Sequence, residues 1–211
     1  MLNVVERILR AALGNDWPPP SASLSASYPS AGMRTGRAPL TLSAADLREL
    51  NTAAPHIGFE RWEREDAARA LLLIAHRGTG RSGDAFVADA LACFEQGDAR
   101  EQQSFLRAIA LWPEAKAFLP YAIDACRTNI VPVFEALACE NPYPSQHFPE
   151  RNFNQVVLKA MFNSIALQRI VGLPSRLNAE LSRMARDYAA ERTAAGRSVP
   201  ADIHLAIHEA R

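Results

Sequence analysis

The sequence predicts an all-α fold, antiparallel helix pairs stacked as a compact HEAT-like α-solenoid or bundle. Three observations carry that prediction. From residue 43 onward apolar residues recur at helical spacing, and no useful length alternates apolar with polar as a half-buried strand does. Cap residues and breakers cut the region into helices of about 10 to 16 residues, close to the ordinary globular length. The connections are so short that neighbouring helices must fold back on one another. No unit repeats at a fixed period, so the solenoid is inferred from element length.

The chain divides into three parts. Residues 1–14, "MLNVVERILRAALG", form an N-terminal amphipathic helix, because Glu6, Arg7 and Arg10 break the uninterrupted apolar core that a signal peptide needs. Residues 15–42 are a Pro/Ser/Gly-rich flexible linker with few large apolar side chains to offset the entropy of ordering. Its PPP run reads as an extended tether, with polyproline recognition by a partner as the alternative. Residues 43–211 are a single all-helical domain.

Within that domain Ser43 caps "AADLREL", and 63–76 runs without a breaker, placing Ala67, Ala70, Leu71, Ile74 and Ala75 on one face. Asp84 opens a helix to Gln96, closed by Gly97 in the left-handed conformation. Asp98 and Glu101 make a capping box for the next. Pro113 starts a helix that bends at Pro120 and reaches Arg127. Thr128 or Asn129 caps "IVPVFEALACE", with Pro132 tolerated in its first turn. Asn141 closes that helix, and Pro142, Pro144 and Pro149 keep the connection extended until a central helix begins, 149–165.

Composition removes several function classes. Lysine plus arginine balance aspartate plus glutamate at 23 each, so no overall field draws the chain to nucleic acid. No apolar run approaches the roughly 20 residues of a membrane span. Cys93, Cys126 and Cys139 show no CxxC spacing, which argues against a disulfide framework or a zinc site and for a reducing compartment. "GTGRSG" at 78–83 matches a dinucleotide-loop pattern, but it follows a helical stretch and has no later strand to pair with. His204 and His208 are four apart without a third ligand nearby.

The helix 149–165 carries two apolar sets, Phe153, Val156, Val157, Ala160 and Met161 on one side and Leu158, Phe162 and Ile165 on another. Between them Asn152, Gln155, Lys159 and Asn163 align as one polar edge. Amides and an ammonium without a carboxylate suit an acceptor-rich ligand, a phosphate or carboxylate, better than hydrolysis by a general base. The plain alternative is that this edge meets solvent. Tyr143 and His147 sit in the preceding loop, and neither is needed to turn the chain.

"RTNIVPVFEALACENPYP", "NFNQVVLKAMF" and "IVGLPSRLNAELSRMARDYAAERTAAGRSVP" resemble, in that order, the EboA family of bacterial metabolite-traffic proteins. The resemblance is strong over 120–202 and continuous back to "LNTAAPHIGFERWEREDAARALLLIA"; it does not extend through the linker. It implies an all-α protein encoded beside a UbiA-type prenyltransferase-like membrane protein and soluble enzymes, in a cluster that moves secondary-metabolite precursors across the inner membrane. Residues shared with the family motifs include Arg127, Thr128, Asn129, Asn141, Tyr143, Asn154, Gln155, Lys159, Asn178, Asp187, Glu191 and Arg192. Ala190 and Thr193 stand where the family typically has His and Trp, a departure that favours binding over catalysis.

The resulting expectation is a non-enzymatic adaptor or carrier in the cytoplasm, or peripheral at the inner membrane. It would bind a small metabolite, or a protein of the same cluster such as the UbiA-type membrane protein. The ligand-binding candidates are Arg127, Asn129, Asn141, Tyr143, His147, Asn154, Gln155, Lys159, Asp187, Glu191 and Arg192, converging on one groove. In it Arg127 and Lys159 hold an anionic or carbonyl group while Asn154 or Gln155 fixes orientation. No catalytic residue, metal or cofactor is expected. The alternatives are a pathway enzyme, with Lys159, Tyr143 or His147 moving a proton beside Asp187 or Glu191, and a scaffold docking on the membrane protein.

Overall fold

Every residue of the chain from Glu65 to Ile74 is buried, and they belong to one helix, α4 (Arg64–Arg77), around which the rest assembles. The computed structural model describes residues 1–14, 16–19, 23–80 and 82–208. Ahead of α4 lie α1 (Leu2–Leu13), α2 (Leu24–Thr35) and α3 (Ala44–Ala53). After it come α5 (Gly83–Gln96), α6 (Ala99–Ala108), α7 (Leu119–Ala125), α8 (Val131–Ala138), α9 (Tyr143–His147), α10 (Glu150–Phe162) and α11 (Ala179–Ala194), with short 3-10 turns between several of them. Among the described residues there is no strand, only an isolated bridge between Pro39 and Glu63. No described helix is long and apolar enough to cross a membrane. The fold is all-α.

The main packing runs between alternate helices, α2 on α4, α4 on α6 and α6 on α8, with α1 also on α4. The helix enclosed on every side is α4, not α10, and its buried residues include the charged Glu65, Asp66 and Arg69. α10 buries one face, Phe153, Val156, Val157, Ala160 and Met161, as its spacing predicts. Of the second apolar set, Leu158 is half-buried and Phe162 is 59% exposed.

Helix starts follow their cap residues. The Ser43 hydroxyl accepts from Asp46 N at 3.1 Å while the Asp46 carboxylate accepts from Ser43 N at 2.9 Å. Asp98 and Glu101 do the same for α6, and Glu63 with Asp66 for α4. Five local expectations are corrected. Ile130, which has no side-chain cap bond, stands at the cap of α8 where Thr128 or Asn129 was expected. Ser82, not Asp84, caps α5. Gly97 closes α5 at φ −73, so it is not left-handed; its need is space, because a Cβ there would meet Cys93 O at 2.7 Å and Glu101 Cβ at 2.9 Å. Pro120 sits in the first turn of α7 and starts that helix where a bend was expected. The NPYP loop is a short helix, α9, whose first turn accepts Pro144.

The largest correction concerns residues 15–42. Residues 15 and 20–22 lie outside the described residues, but 24–35 are helical and packed. Leu24, Ser27, Tyr28, Ala31 and Gly32 recur at three- and four-residue spacing and are buried against α4 and α6. The glycine is required by contact, since a Cβ on Gly32 would lie 2.4 Å from Glu65 Oε2. Small residues here bring two backbones close together, which a composition argument treats as lack of apolar surface.

A buried ionic cluster fastens α2, α4 and α6. Arg69, 3% exposed, donates to Glu65 Oε2 at 2.9 Å, to Ser104 Oγ at 2.9 Å and to Tyr28 O at 3.2 Å. Ser104 donates to Asp66 Oδ1 at 2.7 Å, and Arg107 pairs with the other Asp66 oxygen. Arg37 and Arg100 also approach Glu65, at 3.7 and 3.4 Å, so both buried carboxylates are paired with guanidiniums, which is the condition for burying them at all.

Candidate functional site

The structure distributes the expected binding residues over four settings, each with its own internal partners. Asn141, 2% exposed, donates to Leu106 O and Ala136 O and accepts from Tyr143 N, joining the ends of α6 and α8 to the start of α9. Tyr143 is fully buried and donates to Ala115 O at 2.6 Å, and burial pushes its phenol well up. His147 lies against the Tyr143 ring at 4.6 Å, its pKa lowered by burial and then by Lys116.

Lys159 does come to the Arg127 segment, but to its backbone. Its ammonium donates to Cys126 O and Thr128 O, both at 2.6 Å, and sits 4.9 Å from the Phe134 ring centre. It is a cap for the carbonyls that end α7, and burial lowers its pKa. Arg127 itself is exposed and pairs with Asp124, and Asn129 is exposed. Asn154 and Asn178 exchange amide hydrogen bonds at 3.0 and 3.1 Å between α10 and the start of α11. Gln155 and Asn163 are exposed, so most of the polar edge meets solvent. On α11, Asp187 accepts from Arg183, Glu191 is exposed, and Arg192 donates to Ser198 O. Arg192 lines a cavity of about 280 Å³ with Tyr188, Ser164 and Asp202, to which the other candidates do not contribute.

A different cavity has the walls of a binding site. It lies between α2 and α5, encloses about 250 Å³, and is closed by the end of α4 and the start of α6. Leu24, Pro29 and Ala92 supply apolar wall, and the polar side chains among the others include Tyr28, His76, Asp89, Cys93, Gln96 and Glu101. This is just under the roughly 300–1,000 Å³ of sites for drug-sized ligands, with the usual mixture of apolar wall and few polar groups. The α2 wall is held by the ionic cluster behind it and by the Tyr28 hydroxyl, which donates to Glu101 O at 3.1 Å. The α5 wall ends at Gly97, whose missing side chain lets α5 and α6 meet closely.

His76 Nε2 lies 2.8 Å from Asp89 Oδ2, a pair that orients the imidazole. Cys93 is not an activated nucleophile. Burial, then Asp89 and Glu101, push its thiol up to about 11, so it stays protonated near neutral pH. Among the described residues no hydrogen bond links Cys93 to His76, and no group of three or more His, Cys, Asp and Glu could hold a metal ion. Among the described residues that line the cavity, no nucleophile–base pair is present.

Sequence reasoning missed this site because half of its wall lies in the supposed tether. The signal was the spacing Leu24, Tyr28, Ala31, with Ser27 and Gly32 alongside. Neither curated proteins nor solved structures provide a match to the chain. One family model, described as metabolite traffic protein EboA, matches residues 20–208, beginning inside the stretch that the sequence suggested was a tether and taking in both α2 and the cavity. With nearly its whole length so matched, the chain belongs to the EboA family of metabolite traffic proteins.

Proposed function

We propose that the chain serves metabolite traffic as a non-enzymatic carrier that holds one small metabolite, unreacted, in the cavity between α2 and α5. The observation that carries this reading is the cavity itself, about 250 Å³ of space walled by apolar side chains and a few convergent polar groups. A thiol held protonated by burial and neighbouring carboxylates supports binding over covalent chemistry. On this reading the chain works in the cytoplasm, and the proteins encoded beside it, including the UbiA-type membrane protein, deliver and receive the metabolite.

The test is native mass spectrometry of protein produced together with those neighbouring proteins. The unsubstituted chain should retain a small molecule, and Ala92→Trp, which fills the cavity from the half-buried α5 wall, should lose it at unchanged melting temperature. Absence of any retained molecule, or equal retention by the filled variant, overturns the carrier reading.

A second reading, a scaffold docking on the membrane protein, is favoured by one observation. Ile130, Val131 and Phe162 are large apolar residues left 47%, 40% and 59% exposed. Capture of the membrane protein by the unsubstituted chain but not by Phe162→Ser would favour it.

A further inference from the structure

We infer that the cavity between α2 and α5 takes a small protonated amine with a short apolar body. The inference rests on the carrier reading and names the chemistry of its ligand. Size comes first. A cavity of about 150 Å³ admits benzene, so about 250 Å³ admits one ring with a short chain.

Charge comes next. Among the described residues the wall holds two carboxylates, Asp89 and Glu101, and no lysine or arginine. His76 Nε2 lies 2.8 Å from one Asp89 oxygen, and Glu101, 8% exposed, is the second carboxylate of the wall. The Cys93 thiol reports the same field, since both ionisable neighbours acting on it are these carboxylates.

The backbone adds to the negative potential. His76 is in the last turn of α4 and Gln96 in the last turn of α5, so two helix carboxyl ends face the cavity. The amino end of α6 already carries the Asp98 carboxylate, which accepts from Arg100 N and Glu101 N. On α2, Pro29 has no N–H to give the Ser25 carbonyl, and both residues line the cavity. The carboxylates of the wall and these helix ends are acceptors, and the occupant that complements them is a donor bearing positive charge. Leu24, Pro29 and Ala92 cover its apolar body. This is the opposite sign from the ligand that the polar edge of α10 suggested.

The test is titration calorimetry of the full chain at neutral pH with three probes of one shape, phenethylammonium, phenethyl alcohol and hydrocinnamate. Phenethylammonium should bind about tenfold more tightly than the alcohol, and hydrocinnamate should not bind. Glu101→Gln, a substitution that keeps a capping-box residue, should bring amine and alcohol to parity. Ala92→Lys should abolish amine binding and admit hydrocinnamate.

Equal affinity for all three probes, or tightest binding of hydrocinnamate, overturns the amine assignment and leaves the carrier reading standing. Failure of all three to bind also overturns the amine assignment, and the retained-metabolite measurement then judges the carrier reading separately. An amine preference that survives both substitutions overturns the placement of the site in this cavity.

Discussion

Replacing Lys159 with methionine separates a structural lysine from a ligand-binding one. In the folded chain its ammonium makes two charged hydrogen bonds of 2.6 Å to the Cys126 and Thr128 carbonyls and lies over Phe134. A hydrogen bond to a charged group contributes about 1.5–3 kcal/mol when well enclosed, and two would suggest up to about 6 kcal/mol. The side chain is only half-buried, so water can replace part of that, and its own burial already disfavours the charge. Methionine keeps the apolar stem. The expected loss is therefore about 2 kcal/mol, which with a urea slope of about 2–3 kcal/mol/M lowers the unfolding midpoint by about 0.7–1 M. Metabolite retention by the folded variant should be unchanged. An unmoved midpoint together with lost retention would put Lys159 in the binding site and refute the reasoning.

Three further outcomes are expected. Arg69→Met removes the buried guanidinium that Glu65, Ser104 and the Tyr28 carbonyl share and should cost about 3–5 kcal/mol, read by urea unfolding together with loss of hydrogen-exchange protection across α2. Gly32→Ala drives a methyl group to within 2.4 Å of Glu65 Oε2, which Arg69 holds in place, and should cost about 1–3 kcal/mol in the same assay. His147 has its pKa lowered below the ordinary 6.5 by burial and Lys116, so the unfolded chain binds that proton more readily. Its contribution is full above pH 6.5 and is lost as pH falls through the lowered value, and His147→Gln should flatten that acid limb of a melting-temperature profile.

The fold was legible at several helix starts that carry capping chemistry. Ser43, Asp98 and Glu101, and the unbroken run through α4, marked true helices because a side-chain oxygen is needed where backbone N–H groups have no partner. The main failure was α2. A segment of serine, alanine, glycine and proline buries little apolar area per residue, and linker composition is judged on that quantity. What orders α2 lies elsewhere in the chain: Arg69 and Glu65 on α4 and the Glu101 carbonyl on α6. No local window of sequence contains those partners. The same limit hid the cavity, whose walls include serine, alanine, cysteine and glycine, side chains without a recognisable chemical pattern until four helices are brought together.

The density of shared polar residues in the second half of the chain suggested a binding groove, and the hydrogen bonds give another physical reason for it. Each α-helix ends with four carbonyls and begins with four N–H groups that lack intrahelical partners. Between Leu119 and Phe162 the chain makes four helices of 5 to 13 residues, so ends are frequent relative to length. Asn141 serves two carbonyls and one N–H, Lys159 serves two carbonyls, and Asn178 caps α11 while exchanging amides with Asn154. These side chains are polar because backbone groups at crowded helix ends must be satisfied where water reaches poorly. A ligand site makes the opposite demand, groups left available to an occupant, so side chains spent on helix ends are not evidence of one.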